Sequence, residues 1–388
     1  MNRRLKSLAS LVVDQADRGE LPYVALEHLE SGTGALVPGV ELPIRRGGEP
    51  GVGAVDQGDV LFGKLRPYLA KTFLVREPAY ASTELMALRP SSGVESRYLA
   101  YLVGSGPLIE WATASSDGVK MPRTSWEKLG EFRVVDIPES AAQRAIADYL
   151  DTETARIDAL IGMKKKLHGL LEEFETSVID HAFASQSLPT SRMKYVAKLN
   201  PESLSESTDP GIEIRYVDIG SVGRGNLVSQ PDEMSFGDAP SRARRVVRGG
   251  DVIVSTVRTY LRAVWAVPES CSGVVVSTGF AVLRPSECIN PTFLSLYCRS
   301  SNFIEQVVAH SVGVSYPGVN AEDLMALPVP LPDVAYQQEA VEGVVKRIED
   351  SARVRTLLNQ QIDLLRLRRN SLVTSAVTGE LQTPGVAA

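Results

Sequence analysis

The residues of this chain best suited to chemistry are cations placed around two Gly-Asp turns. Arg242, Arg244, Arg245 and Arg248 precede Gly250-Asp251, and Arg258 and Arg262 follow it. Between Met234 and Arg262 these six arginines meet only Asp238 and Asp251, a local surplus of four positive charges. Arg45 and Arg46 precede the other turn, Gly58-Asp59, and Lys64, Arg66 and Lys71 follow it. Such groups suit phosphate oxygens, which set register on a duplex, and a paired arginine fork matches the edge of guanine. Tyr68 and Tyr260 stand two positions beyond Arg66 and Arg258, where a ring can stack on a base, bond a phosphate or pack half-buried. Lys120 and Arg123 add two cations whose second-copy counterparts, Ser315 and Gly318, are uncharged. A solvated surface accounts for either basic run alone, but the recurrence of cations at both turns favours binding.

Catalytic chemistry finds less material. The four histidines, His28, His168, His181 and His310, have no cysteine at zinc-ligand spacing, and no metal site is expected. Gly32-Thr33-Gly34 and Gly51-Val52-Gly53 lack the continuation of a nucleotide loop and read as turns. No Walker lysine loop is present, nor the Asn-Pro-Pro-Tyr motif of amino-methyltransferases, to which Asn200-Pro201 and Asn290-Pro291 come nearest. Neither catalytic residues nor a cofactor is expected in the chain itself.

The elements that must position the cations are written twice. Gly58-Asp59-Val60-Leu61 returns as Gly250-Asp251-Val252-Ile253, and Arg66, Tyr68 and Leu69 return as Arg258, Tyr260 and Leu261, at an offset of 192. Leu88-Arg89-Pro90 returns as Leu283-Arg284-Pro285 and Gln143 as Gln338, at an offset of 195. Each copy opens with short strand-like runs punctuated by Gly, Pro and Asp, passes through a helical stretch (97–113 and 292–310), and closes on proline. This is duplication of a whole domain, not a solenoid.

The period then changes. From Ser140 to about 184 proline is absent, and Ile157, Leu160, Lys164, Leu167, Leu171, Phe174 and Val178 alternate at spacings of three and four. Val354, Leu358, Leu365 and Leu372 anchor a similar seam in the second copy, and Gly379 suits its C-terminal cap. A long helix with one narrow stripe needs a partner, so the two are expected to pair antiparallel as a coiled coil through Ile157, Leu160, Leu167, Leu171, Phe174, Val178, Val354, Leu358, Leu365 and Leu372. The expected fold is therefore mixed α/β (α+β): two globes, each followed by a rod, with the paired rods holding the globes apart like the halves of a dimer. The 388 residues suit two domains, and the net charge of −6 excludes a uniformly basic DNA-coating protein. Three clustered cysteines, Cys271, Cys288 and Cys298, build no disulfide framework. Without a long apolar run, neither signal peptide nor membrane span is expected, and the cytoplasm is the expected location.

Gly58-Asp-Val-Leu-Phe-Gly-Lys-Leu-Arg-Pro-Tyr-Leu69, Met121-Pro-Arg-Thr-Ser-Trp126, Ile137-Pro138, Gln143-Arg-Ala-Ile-Ala-Asp-Tyr-Leu-Asp151 and Thr154-Ala-Arg-Ile-Asp-Ala-Leu-Ile161 carry a family likeness. Gly250-Asp251, Tyr260-Leu261, Leu331-Pro332 and Gln337-Gln338-Glu339 repeat parts of it. With these features the chain resembles the specificity subunits of type I restriction–modification enzymes over nearly its whole length. The resemblance implies target recognition domains at 1–139 and 185–334, conserved long helices at 140–184 and 335–379, and a tail at 380–388. It implies a non-catalytic subunit that recognises a split, asymmetric site in double-stranded DNA and recruits two methyltransferase subunits and the restriction and translocation subunits. S-adenosylmethionine would belong to the methyltransferase, and ATP and Mg to the restriction partner. It carries over Lys64, Arg66 and Tyr68, with Arg258 and Tyr260, as residues near DNA. A recognition subunit for a fused nuclease–methyltransferase would read similarly, and a scaffold bridging two proteins shares the outline.

Overall fold

The structure, a computed structural model, describes residues 3–48, 51–184, 188–313 and 317–383, so Ser315 and the end of the 380–388 tail lie outside the described residues. It comprises two units, Met1–Lys165 with Asn359–Ala388, and Lys166–Leu358.

In the first unit, β1 (Ala9–Val12), β2 (Glu20–Val24), β3 (Ile44–Arg46), β4 (Val52–Val55), β5 (Val60–Gly63), β6 (Thr72–Leu74), β7 (Ala79–Ser82) and β8 (Leu85–Pro90) form two four-stranded sheets, ordered β1-β8-β5-β6 and β3-β2-β7-β4. All these pairs are antiparallel except β2 with β7, which meet in parallel at Tyr23 and Tyr80. Strand β5 is buried on both faces. Val60 and Phe62 pack into the cluster under the helices, while Leu61 packs with Val24, Val75 and Ala81 between the sheets. Helices α1 (Ser96–Val103) and α2 (Gly106–Ala114) cover the first sheet with Tyr98, Leu99, Leu102, Val103 and Leu108.

The second unit repeats this topology. Strands β9 (Ala197–Leu199), β10 (Glu213–Val217), β11 (Asp232–Ser235), β12 (Ala243–Val246), β13 (Val252–Ser255), β14 (Val264–Ala266), β15 (Val275–Ser277) and β16 (Phe280–Pro285) form sheets ordered β9-β16-β13-β14 and β11-β10-β15-β12. Tyr216 and Val275 sit at the parallel pairing of β10 with β15. Covering them are α4 (Pro291–Arg299) and α5 (Ser301–Ala309). The single helical stretch expected in each copy is thus two helices. Ser105 and Ser300 adopt extended backbone between them, and the Ser300 side chain accepts from the Phe303 N–H to start the next helix.

Two repeated polar locks hold these parts. Asp59 and Asp251, each 1% exposed, accept two bonds from the Nε and Nη2 of Arg89 and Arg284, at 2.7–2.8 Å. Each carboxylate also accepts the backbone N–H three residues earlier, from Asp56 or Arg248, so it closes the Gly-Asp turn and ties β5 to β8 and β13 to β16. Gly58 and Gly250 make that turn at φ of +91° and +84°. The second lock is a buried amide on each long helix, α3 (Ser140–Ala182) and α6 (Val334–Val377). Gln143 accepts from the Glu95 N–H and donates to the carbonyls of Gly93 and Pro138. Gln337 does the same with Asn290, Cys288 and Pro332. The partner of Gln143 is therefore Gln337, not Gln338, which is exposed. Two adjacent glutamines made the repeat ambiguous by one residue, and burial resolves it.

Within each unit the long helices run antiparallel. In the first, Ile157 and Ile161 of α3 pack on Ile362 of α6 beside Leu365 and Leu372, while Ile146 and Leu150 share the globe's core with Val373, Ala376 and Val377. In the second, Val178 and Ile179 pack with Val344 and Leu296. Leu358 is buried and Leu171 half-buried. The expected seam differs at Leu160, Leu167, Phe174 and Val354, which are 42% (Val354) to 48% (Phe174) exposed. The helices carry two apolar stripes. One is buried; the other, Leu160, Met163, Leu167, Leu170 and Phe174 on α3, faces solvent at the same three-four spacing. Periodicity alone merges them.

Replacing Arg89 or Arg284 by alanine leaves a buried carboxylate without its bidentate partner. A loss of about 2–3 kcal/mol is expected for each in denaturant unfolding, against under 0.5 kcal/mol for the exposed Arg76→Ala.

Candidate nucleic-acid interface

Beyond β5 the chain enters a 3-10 turn at Pro67–Leu69, and beyond β13 the same turn at Thr259–Leu261. Both are flanked by left-handed residues that are not glycine: Arg66 (φ 49°) and Ala70 (φ 48°), Arg258 (φ 49°) and Arg262 (φ 56°). Each such residue costs about 1–2 kcal/mol. The turn is held in that shape by its surroundings. The Arg66 N–H donates to the Pro122 carbonyl and the Arg258 N–H to that of Pro317, at 2.7 and 2.8 Å. The result lifts Tyr68 and Tyr260 into solvent, 51% and 54% exposed. The strain is kept at the same two positions in both copies, beside an arginine and a bare aromatic ring.

Around the first turn, bridges of Arg123 to Leu65 and Asp117 bring the 117–123 loop alongside. That sets the loop carrying Lys120 and Arg123 against the segment carrying Lys64, Arg66 and Tyr68. Three of the expected cations already hold partners: Lys64 donates to the Thr83 carbonyl, Lys71 to that of Leu26, and Arg123 to both oxygens of Glu84. Thr256 takes the place of Lys64 in the second copy and bonds the Gly279 carbonyl, so the shared task at this position is bracing the turn.

Around the second turn, the Thr278 N–H donates to the Arg242 carbonyl and the Thr256 N–H to that of Gly279, so residues 278–279 link the start of β12 to Thr256. Arg242 is exposed. Arg244 lies over the Phe236 ring at 4.8 Å. Arg245 is half-buried with its Nη1 unpaired, and burial lowers its pKa. Arg248 pairs with Glu202 at 2.6 Å, and the bonds from Arg284 and Arg248 hold the Glu202 carboxyl below the usual range. The side chains of Arg46, Arg66, Lys120, Arg242 and Arg262 form no hydrogen bond or ion pair among the described residues.

The expectation that Arg45 and Arg46 mirror the 242–248 run is corrected by topology. They stand on β3, whose counterpart is β11, while the counterpart of β12 is β4 (Val52–Val55), which carries no cation. Arg45 packs over Tyr23 at 4.7 Å. The two basic patches therefore lie on opposite edges of equivalent sheets. Only the 64–71 and 256–262 turns are true equivalents. The residues missed as structural were Arg89 and Arg284; their recurrence in Leu-Arg-Pro was visible, but the buried aspartate that uses them was not.

Among the described residues no group of three or more His, Cys, Asp or Glu could hold a metal ion, and no helix is long and apolar enough to cross a membrane.

No protein-family model matches the sequence. A curated relative, the type I restriction enzyme HindI specificity subunit of Haemophilus influenzae, is 26% identical over 129 residues, 32% of this chain and 28% of the relative's length. A chain from a solved structure of complex assembly and conformational transition in the type I R-M system superposes with a TM-score of 0.70 at 18% identity, covering 98% of each chain. The HsdS subunit from Thermoanaerobacter tengcongensis gives 0.49 at 17% identity, over 98% of this chain and 97% of that one. In sequence the chain resembles type I specificity subunits, and it shares its duplicated two-globe fold, with paired long helices, with a chain of that system.

Proposed function

We propose that the chain is the non-catalytic DNA-specificity subunit of a type I restriction–modification system, acting in the cytoplasm. Residues 1–139 and 185–334 are its two target recognition domains, 140–184 and 335–379 its conserved helices, and 380–388 its tail. Each domain reads one half of a bipartite, asymmetric site in double-stranded DNA. The observation that carries this reading is the recurrence of one strained turn, with its arginine and exposed tyrosine, on two globes of identical topology and unlike surroundings. Arg66, Tyr68, Lys120, Arg123 and Lys64 serve the first half-site, with Arg45, Arg46 and Lys71 nearby. Arg242, Arg244, Arg245, Arg248, Arg258, Tyr260 and Arg262 serve the second. Cations fix the backbone; different neighbours at each turn give each globe its own sequence.

The solvent-facing apolar residues of the long helices support docking of two methyltransferase subunits: Leu160, Met163, Leu364 and Leu367 in one unit, Leu167, Leu170, Phe174, Val354 and Leu357 in the other. Unpaired apolar faces of this length rarely stay in water. The methyltransferase supplies S-adenosylmethionine, and the restriction subunits supply ATP and Mg chemistry.

Glycine at position 66 tests the turn against its function. Arg66→Gly relieves the left-handed strain, so stability is expected to hold or rise by about 1 kcal/mol. DNA binding by the complex with methyltransferase weakens, and the log–log salt slope falls by about 1. Arg258→Gly behaves likewise. Unchanged affinity and slope in both variants rejects these turns as DNA contacts.

A further inference from the structure

The 194-residue register set by Gln143 and Gln337 is confirmed at the far ends of the long helices. There the Gly106 N–H donates to Thr374 Oγ1 and, 195 and 194 residues away, the Ser301 N–H donates to Asp180 Oδ1. The same register makes Glu175 of α3 the counterpart of Arg369 of α6. Both are 7% exposed, and they carry opposite charge.

Their surroundings differ accordingly. In the first unit Arg369 Nε meets both oxygens of Asp158 on α3, at 3.0 and 3.2 Å. Its Nη1 and Nη2 donate to the carbonyls of Gly32 and Thr33, at 2.9 and 2.7 Å. The counterpart of Gly32, at the early offset of 193 that relates Tyr23 to Tyr216, is Gly225. A guanidinium reaches that loop too, but from the globe itself: a Cβ on Gly225 would come within 2.6 Å of the guanidinium carbon of Arg299, the last residue of α4. Here the helix supplies the carboxylate. Glu175 pairs with Arg355 of α6 at 3.0 Å. Burial lowers the pKa of Arg299, and the charge of Glu175 opposes that shift.

We propose that Arg369 and Glu175 are positioning residues of opposite sign that key each globe to its own helix segment. Arg369 fixes the glycine loop of the first globe from the helix, and Glu175 receives the arginines of the second. A duplicated chain has two nearly equal docking sites and risks exchanging them. A carboxylate in place of Arg369 would face Asp158 and two carbonyl oxygens; an arginine in place of Glu175 would face Arg355 and Arg299. The wrong segment is thus rejected at either site by repulsion between like charges, one of them at a buried position. The consequence for function rests on the specificity-subunit reading: the key sets the pose of a globe, hence the spacer it tolerates, and not the bases it reads.

Amide hydrogen exchange on the full chain tests the keys without DNA. In Arg369→Ala the amides of Glu30, Gly32 and Val37, which close the loop of the first globe, are expected to exchange about 10- to 100-fold faster. Those of Gly223, Gly225 and Val228, and the β5–β8 amides that report folding, stay unchanged. Glu175→Ala loosens Gly223, Gly225 and Val228 alone, and Arg369→Lys, which keeps the charge but not the fork, falls between wild type and Arg369→Ala. Loops unaffected in both variants, or both loops loosened by either one, overturns the proposal. With the methyltransferase partner, Arg369→Ala should methylate sites whose spacer differs by one base pair, with both half-sites unchanged. Altered half-site bases at a fixed spacer also overturn it. A wild-type complex with no bipartite target rejects the specificity reading instead, and the exchange result alone then decides the keys.

Discussion

The architecture of each globe depends on a buried carboxylate. Asp59 and Asp251 sit at the head of a strand buried on both faces, where an unpaired charge would cost several kcal/mol. The bidentate arginine from the neighbouring strand and the backbone N–H three residues earlier satisfy both oxygens. That one arrangement sets three things. It aligns β5 with β8 and β13 with β16, fixing which residues face the helices and which the second sheet. It requires glycine before the aspartate, at positive φ. It also fixes where the strand begins, and so where it delivers the chain, seven residues after the aspartate, into the strained turn bearing Arg66 or Arg258. The exposed tyrosines stand where they do because a buried ion pair anchors the strand beneath them.

The long helices solve a different problem. They must bury one stripe against each other and against the globes, yet leave a second free. Ile157, Ile161, Ile362, Val178, Ile179 and Val344 occupy the first; Leu160, Met163, Leu167, Leu170 and Phe174 occupy the second. β-Branched residues dominate the buried stripe, and residues without a branch at Cβ the exposed stripe. Polar bonds at both helix ends, from Gln143 and Gln337 and to Thr374 and Asp180, fix register where apolar packing alone would tolerate slippage.

Much of this was legible in the sequence because it is written twice. The Gly-Asp turns, the flanking strands and the two proline-free helices appear at matching offsets, and the structure has identical strand orders in both copies. What was not legible depended on facing partners. The arginine of Leu-Arg-Pro looked like a mere repeat marker because the aspartate it serves lies 30 residues away in the first copy. Leu160, Leu167 and Phe174 looked like a pairing seam because a three-four spacing does not say which of two stripes meets the neighbour. Arg45 and Arg46 resemble the 242–248 run because both precede a Gly-Asp turn; strand order separates them. By sequence offset Gln143 aligns with Gln338, one residue off, because Gln337 and Gln338 are adjacent and only burial distinguishes them.

The central claim is that two copies of one globe, made unlike around a common turn, read two unlike halves of one DNA site. Mapping methylation across a genome that carries this chain with its methyltransferase tests it most directly. The account predicts a bipartite, asymmetric motif with a fixed spacer, in which exchanging residues 185–334 for those of a related chain changes one half-site and leaves the other intact. A continuous palindromic motif, or modification that persists without this chain, would contradict it.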